Sequence, residues 1–119
     1  MNHIHFYKYQ GTGNDFIIMD NREGQYDWLT DEQVNELCDR RFGIGADGLM
    51  LLNKSADYDF AMKYYNADGR EGSMCGNGGR CLAAFAHKMG IGDGHLYFIA
   101  VDGEHEATMH GDNWVNLKM

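Results

Sequence analysis

The sequence predicts one α+β domain, with about seven short strands and two helices. Three observations point there. Apolar and polar residues alternate in several short runs, and two longer segments carry helical spacing. Glycine marks the joints, with 16 Gly and no Pro in 119 residues, a length that suits a single small domain.

Residues 2–9 alternate, with Ile4, Phe6 and Lys8 on one face and His5, Tyr7 and Tyr9 on the other, which predicts a strand. Residues 11–15 read as a turn, 16–20 as a second strand and 21–27 as a polar loop. Thr30 opens a helix, and Gln33 three positions on completes a capping box. Val34, Leu37, Cys38 and Arg41 carry the helical spacing, and Phe42-Gly43 is expected to close it. Gly45 to Asp47 turns the chain into a strand at 49–53, and Phe60, Met62 and Tyr64 alternate in the next. A second helix is expected over about 77–89, with Leu82, Phe85, Ala86 and Met89 in the core and Gly90 at its C′ position. Its 81–86 run has no charged residue, as expected of a helix enclosed by sheet. Strands at 96–101, 104–110 and 114–118 follow, joined by Asp102-Gly103 and Gly111-Asp112-Asn113. The sequence stops directly after the last strand, which predicts a domain cut from a longer protein.

With 44% hydrophobic and 13% aromatic residues, the chain can bury a core. Its formal net charge of -8 argues against nucleic acid and anionic membranes as partners, though a local clamp can bind an anion inside an acidic protein. The three cysteines are an odd number without C-x-x-C spacing. No secretory segment opens the chain, and no run approaches the ~20 apolar residues of a membrane span. A reducing cytoplasm is the expected location.

Gly43-Ile44-Gly45-Ala46-Asp47-Gly48 matches G-x-G-x-x-G, but a helix precedes it and a strand follows. A dinucleotide site needs the reverse order, so the run is read as a helix end entering a strand. His3 and His5 lack a third partner at metal spacing. Cys38 and Cys81 are read as packed small hydrophobes.

Cys75 is different. It stands where the glycine-rich run Gly72-Ser73-Met74-Cys75-Gly76-Asn77-Gly78-Gly79 feeds a helix. Free N–H groups and the positive end of the helix dipole converge at such a point. They lower a thiol's pKa from ~8.5 towards ~7 and can hold a carboxylate. Gly78 and Gly79 cost ~1 kcal/mol each relative to Ala in a helix, a sign that a ligand approaches the backbone. Asn66 and Asn77 add neutral polar groups able to orient an amino acid. Together these suggest chemistry at the carbon next to a carboxylate.

Three blocks resemble the N-terminal half of the diaminopimelate epimerase family. They are Lys8-Tyr9-Gln10-Gly11-Thr12-Gly13-Asn14-Asp15-Phe16, then Arg40-Arg41-Phe42-Gly43-Ile44-Gly45-Ala46-Asp47-Gly48, and Asn66-Ala67-Asp68-Gly69 with Met74-Cys75-Gly76-Asn77-Gly78-Gly79-Arg80-Cys81. The resemblance implies a barrel-like, mostly antiparallel sheet wrapped around a central helix, spanning residues 1–119, with a C-terminal domain absent from this chain. It implies interconversion of LL- and meso-diaminopimelate, for lysine and peptidoglycan synthesis, without pyridoxal phosphate or another cofactor. Cys75 would act on one face of the α-carbon, and a cysteine from the chain's own C-terminal domain on the other. Gly76 and Asn77 would hold the reacting carboxylate, and Asn14 and Asn66 would contact the substrate. Gly48 falls where some relatives carry a substrate-contacting Gln, a role glycine cannot fill. The full-length enzyme could form a homodimer. Two alternatives stay open: a related isomerase of the same fold acting on another substrate, and a thiol-redox or anion-binding module.

Overall fold

The computed structural model describes residues 4–11, 13–72, 76–110 and 114–118, with the backbone alone at 110 and 114–118. Among these residues the order is β1 (Tyr7–Gly11), β2 (Asn14–Asp20), α1 (Asp31–Cys38), β3 (Gly48–Asn53), β4 (Phe60–Asn66), β5 (Glu71–Gly72), α2 (Gly76–Lys88), β6 (His95–Ala100), β7 (Gly103–His110) and β8 (Trp114–Lys118). All eight strands join one sheet in the order β1-β2-β3-β4-β6-β7-β8, with the two-residue β5 added on β4. Only β2–β3 and β4–β6 are parallel; the other five pairings are antiparallel.

The sheet curls because its two ends meet the same helix. Helix α2 lies against β1, β2 and β3, and also against β7 and β8. This is the α+β architecture expected, a mostly antiparallel sheet around a central helix. Leu82, Ala83, Phe85 and Ala86 of α2 pack against Phe16, Ile18, Met50, Leu52, Met62, Leu96 and Phe98. Leu82 and Phe85 are fully buried, worth ~1.5–3 kcal/mol each. The opposite face of β2 and β3 is covered by α1. There Ile17, Met19, Leu49 and Leu51 meet Val34 and Cys38. Burial on both faces explains why β2 and β3 read as continuous apolar runs. Helix α1 also serves the crossover that the parallel β2–β3 pair requires.

Local chemistry sets the ends of the helices. Thr30 accepts from the Gln33 N–H at 3.2 Å while Gln33 Oε1 accepts from the Thr30 N–H at 2.8 Å, the predicted capping box. The other end differs from expectation. Helix α1 stops at Cys38, short of Phe42-Gly43. The Asp39 carboxylate accepts from the N–H groups of Arg41 and Phe42 at 2.8 and 2.9 Å, offering them a partner outside a helix. The N–H groups of Ile44 and Gly45 then fold back onto the Leu37 carbonyl, and that of Ala46 onto Cys38. At the end of α2, Gly90 has φ +85, its N–H donates to His87, and the Ile91 N–H donates to Ala86. This is the Schellman arrangement that a glycine at C′ predicts.

Other boundaries shift. Strand β1 begins at Tyr7 and runs on to Gly11, inside the expected turn, and residues 2 and 3 of the expected strand lie outside the described residues. Met89 is 36% exposed and does not join the core, since α2 ends one residue earlier. In the β6–β7 hairpin Ala100 pairs with Gly103, so Val101 and Asp102 form the loop and Gly103, at φ +125, belongs to the strand. Residues 111–113, the second expected joint, are not described.

Candidate active site

The strand register brings Asn14 and Asn66 to one end of the sheet. Gly11 pairs with Asn14 across the β1–β2 turn, Phe16 pairs with Gly48, and Gly48 pairs with Asn66. The N-terminus of α2 meets this end. A Cβ on Gly11 would lie 3.2 Å from Cys81 Sγ and 3.9 Å from the Asn77 carbonyl, so the hairpin packs directly on the first turns of α2.

Asn14 and Asn77 are in contact: Asn77 Nδ2 donates to Asn14 Oδ1 at 2.8 Å. Asn66 stands at the end of β4 and its side chain lies over Gly72, where a Cβ would come within 2.7 Å of Asn66 Nδ2. The turn after Asn66 is held from outside. Its Gly69 has φ +90, and a Cβ there would sit 1.9 Å from the Asp31 carbonyl, so α1 and this turn touch backbone to backbone. The Asn35 side chain donates to the Ala67 carbonyl at 3.0 Å beside it. Asn14 and Asn77 are half-buried, and Asn66 is exposed.

Gly76 is the first residue of α2, and no acidic side chain occupies its first turn. The donor-rich end of a 13-residue helix therefore faces this end of the sheet. Cys75, directly before Gly76 in the chain, lies outside the described residues, as do Ser73 and Met74. The described residues on either side of it are tied to the predicted substrate contacts, Gly72 to Asn66 and Asn77 to Asn14.

The other two cysteines are buried. Cys38 belongs to the cluster under α1 and Cys81 to the cluster around α2, as the sequence predicted. Burial pushes the Cys38 thiol up to about 11. Gly48 also has a packing cause: a Cβ would meet Tyr64 Oη at 2.8 Å and the Tyr65 carbonyl at 2.9 Å.

Sequence reasoning missed a charged network behind the amides. Arg40 grips Asp15 with both terminal nitrogens, at 2.7 and 3.1 Å, and reaches Asp47 at 3.1 Å. Lys8 bonds Asp15 at 2.8 Å and also the Gly45 carbonyl. The Asp15 carboxyl is held well below the usual carboxylate range, first by the Arg40 hydrogen bonds and then by Lys8. Asp47 in turn accepts from Asn14 Nδ2 at 3.2 Å and from the Asp15 N–H at 3.0 Å. The available signal was that all three motif blocks contain a base and an acid; the network draws on two of them, Lys8 with Asp15 and Arg40 with Asp47.

Comparison with known proteins adds to this geometry. The family model for diaminopimelate epimerase matches residues 6–119. The diaminopimelate epimerase of Flavobacterium psychrophilum is 54% identical over 113 residues, covering 95% of this chain and 44% of that protein. That of Chlorobaculum tepidum is 53% identical over 111 residues, covering 92% and 43%. The chain thus spans a little over two fifths of the length of these curated relatives. Among solved structures, a PhzF-family phenazine biosynthesis protein of Bacillus anthracis aligns with a TM-score of 0.64 at 17% identity, over 96% of this chain and 38% of the other. A predicted epimerase from Pseudomonas aeruginosa aligns at 0.62 and 15% identity, over 92% and 40%. At such identities these two matches speak for the fold alone.

Proposed function

This chain belongs to the diaminopimelate epimerase family, and we propose that it forms the first half of an isomerase that interconverts LL- and meso-diaminopimelate. The carrying observation is that Asn14 and Asn66 lie at one end of the sheet, where Asn77 in the first turn of α2 contacts Asn14 and the Asn66 side chain lies over Gly72.

In this reading the reacting carboxylate rests on the N–H groups at the start of α2, Gly76 and Asn77 among them. The Cys75 thiolate takes the α-proton. The electron pair left on the α-carbon spreads into the carboxylate, where the helix N-terminus and its donors stabilise the growing charge. A cysteine of the C-terminal domain of the full-length protein returns a proton to the opposite face, so the centre inverts with no net change of atoms. Asn14 and Asn66 contact the substrate, Asn66 from the exposed rim. The reaction calls on no cofactor, since thiols and backbone donors supply every proton and charge contact. Cys38 and Cys81 are both buried in packed clusters, which supports assigning the opposing acid to the missing half. The complete enzyme, a homodimer in this reading, serves lysine and peptidoglycan synthesis in the cytoplasm. No helix among the described residues is long and apolar enough to cross a membrane.

The test is a fusion in which residues 1–119 replace the matching part of the Flavobacterium psychrophilum enzyme. In D₂O with LL-diaminopimelate, the fusion is expected to yield meso product with deuterium at the α-carbon, and Cys75→Ser to abolish both. A folded fusion that does neither would remove this function.

A further inference from the structure

We infer that Asp47 is a positioning residue, which orients the Asn14 and Asn77 side-chain amides through a one-way hydrogen-bond relay. The inference rests on the proposed role of those two asparagines.

The direction of the relay follows from donor and acceptor chemistry. Asp47 Oδ2 receives both the Asp15 N–H at 3.0 Å and Asn14 Nδ2 at 3.2 Å, while Oδ1 receives Arg40 at 3.1 Å. A carboxylate only accepts. Asn14 must therefore turn its NH₂ group towards Asp47, which leaves Oδ1 for Asn77. Asn77 answers with Nδ2 at 2.8 Å, and its own carbonyl oxygen turns away from Asn14. One charged group 33 residues from Asn14 in sequence thus selects the orientation of two successive amides. Without it, each asparagine could rotate by half a turn, exchanging donor for acceptor at the first turn of α2. A substrate carrying a carboxylate and an ammonium on one carbon would then meet the wrong pattern.

Asp47 is well placed for this task. Its side chain is 39% exposed, yet Arg40 and the Asp15 backbone hold both oxygens. Its own N–H donates to the Asp15 carbonyl at 2.9 Å and to Asp15 Oδ1 at 3.2 Å, so the backbone at 47 is pinned from the same strand that carries Asn14.

Two substitutions separate positioning from plain support. Asp47→Asn keeps an oxygen for Asn14 and the Asp15 N–H but loses the charge that faces Arg40. Asp47→Ala loses both. In the 119-residue chain, ¹⁵N NMR follows the Asn77 side-chain amide. Slow hydrogen exchange at that group is expected in the parent and Asp47→Asn and is expected to disappear in Asp47→Ala. In the fusion, kcat/KM is expected to fall about tenfold in Asp47→Ala, mainly through KM, and to stay within about threefold of the parent in Asp47→Asn. Asn53→Ala removes a hydrogen bond from the remote Asn21 amide and supplies a destabilised control expected to leave KM alone. Equal exchange of the Asn77 amide in Asp47→Ala and Asp47→Asn would overturn the relay. So would equal kinetics in those two variants, or kinetic losses that only track melting temperature. An inactive parent fusion would instead count against the function itself, and the NMR comparison would still decide the relay.

Discussion

The two glycine-rich segments, residues 43–48 and 72–79, look alike in sequence and serve different ends. In the first, the glycines press against the chain's own backbone. A Cβ on Gly43 would lie 2.0 Å from the Glu36 carbonyl, Gly45 has φ +85, and Gly48 backs onto Tyr64 and Tyr65. In the second, the space left by Gly72 is filled by the Asn66 amide, and Gly76 opens a helix. The lesson is that missing side chains alone do not identify a site. What the vacated space faces decides: the glycines of the first segment face the chain's own backbone and packed side chains, whereas Gly72 of the second faces the Asn66 amide.

The largest effect should come from breaking the first segment. Gly43→Ala forces a methyl group into the backbone at the end of α1 and is expected to cost about 3 kcal/mol, read as a lower urea midpoint. A loss under about 1 kcal/mol would mean that this loop yields easily. Gly72→Ala should do the opposite. Its clash is with the end of a movable side chain, so stability should change by less than about 1 kcal/mol. Displacing Asn66 should nonetheless lower kcat/KM in the fusion about tenfold. If stability and activity fell together, the distinction between the segments would fail.

The cysteines sharpen the same contrast. Cys38 closes α1 just before the first segment, with its thiol pushed up to about 11 by burial. Cys75 belongs to the second. Limiting iodoacetamide on the native chain near neutral pH is expected to label Cys75 first, with adducts mapped by mass spectrometry. Earlier labelling of Cys38 or Cys81 would contradict the assignment.

The smallest effect concerns acid. The folded Asp15 carboxyl titrates below its unfolded value of ~3.9, so its contribution is fully present above about pH 4 and is lost as pH falls towards the folded value. Arg40 is 58% exposed, so the contribution is modest and weakens with salt. The stability gap between the parent and Arg40→Gln should narrow below about pH 4. A gap independent of pH would show that Arg40 acts through packing.

How much of this could be read from the sequence depends on the range of the interaction. The capping box at Thr30 and the Gly90 stop are set by residues within a few positions, and both were legible. So were the buried Phe60, Met62 and Tyr64 face of β4 and the buried run of α2, through periodicity. The early end of α1 was not, because Asp39 diverts two N–H groups that the helical spacing of Arg41 had claimed. Strand β5 is two residues long and exists only as a partner to β4. In the site, Asn14, Asn66, Gly76 and Asn77 were named from motif and resemblance. The ties from Arg40 to Asp15 and from Asp47 to Asn14 span 25 and 33 residues, beyond any local pattern.

The central claim is that these residues form half of a two-base site. Its most direct measurement is to incubate the purified 119-residue chain with LL-diaminopimelate in D₂O, following meso product and α-deuterium together. The expected result is neither, because one base without an opposing acid cannot complete the inversion, and each positioned acid or base is worth ~10²–10⁴-fold. Conversion by the chain alone that disappears in Cys75→Ser would contradict the claim, since the second half would then be unnecessary.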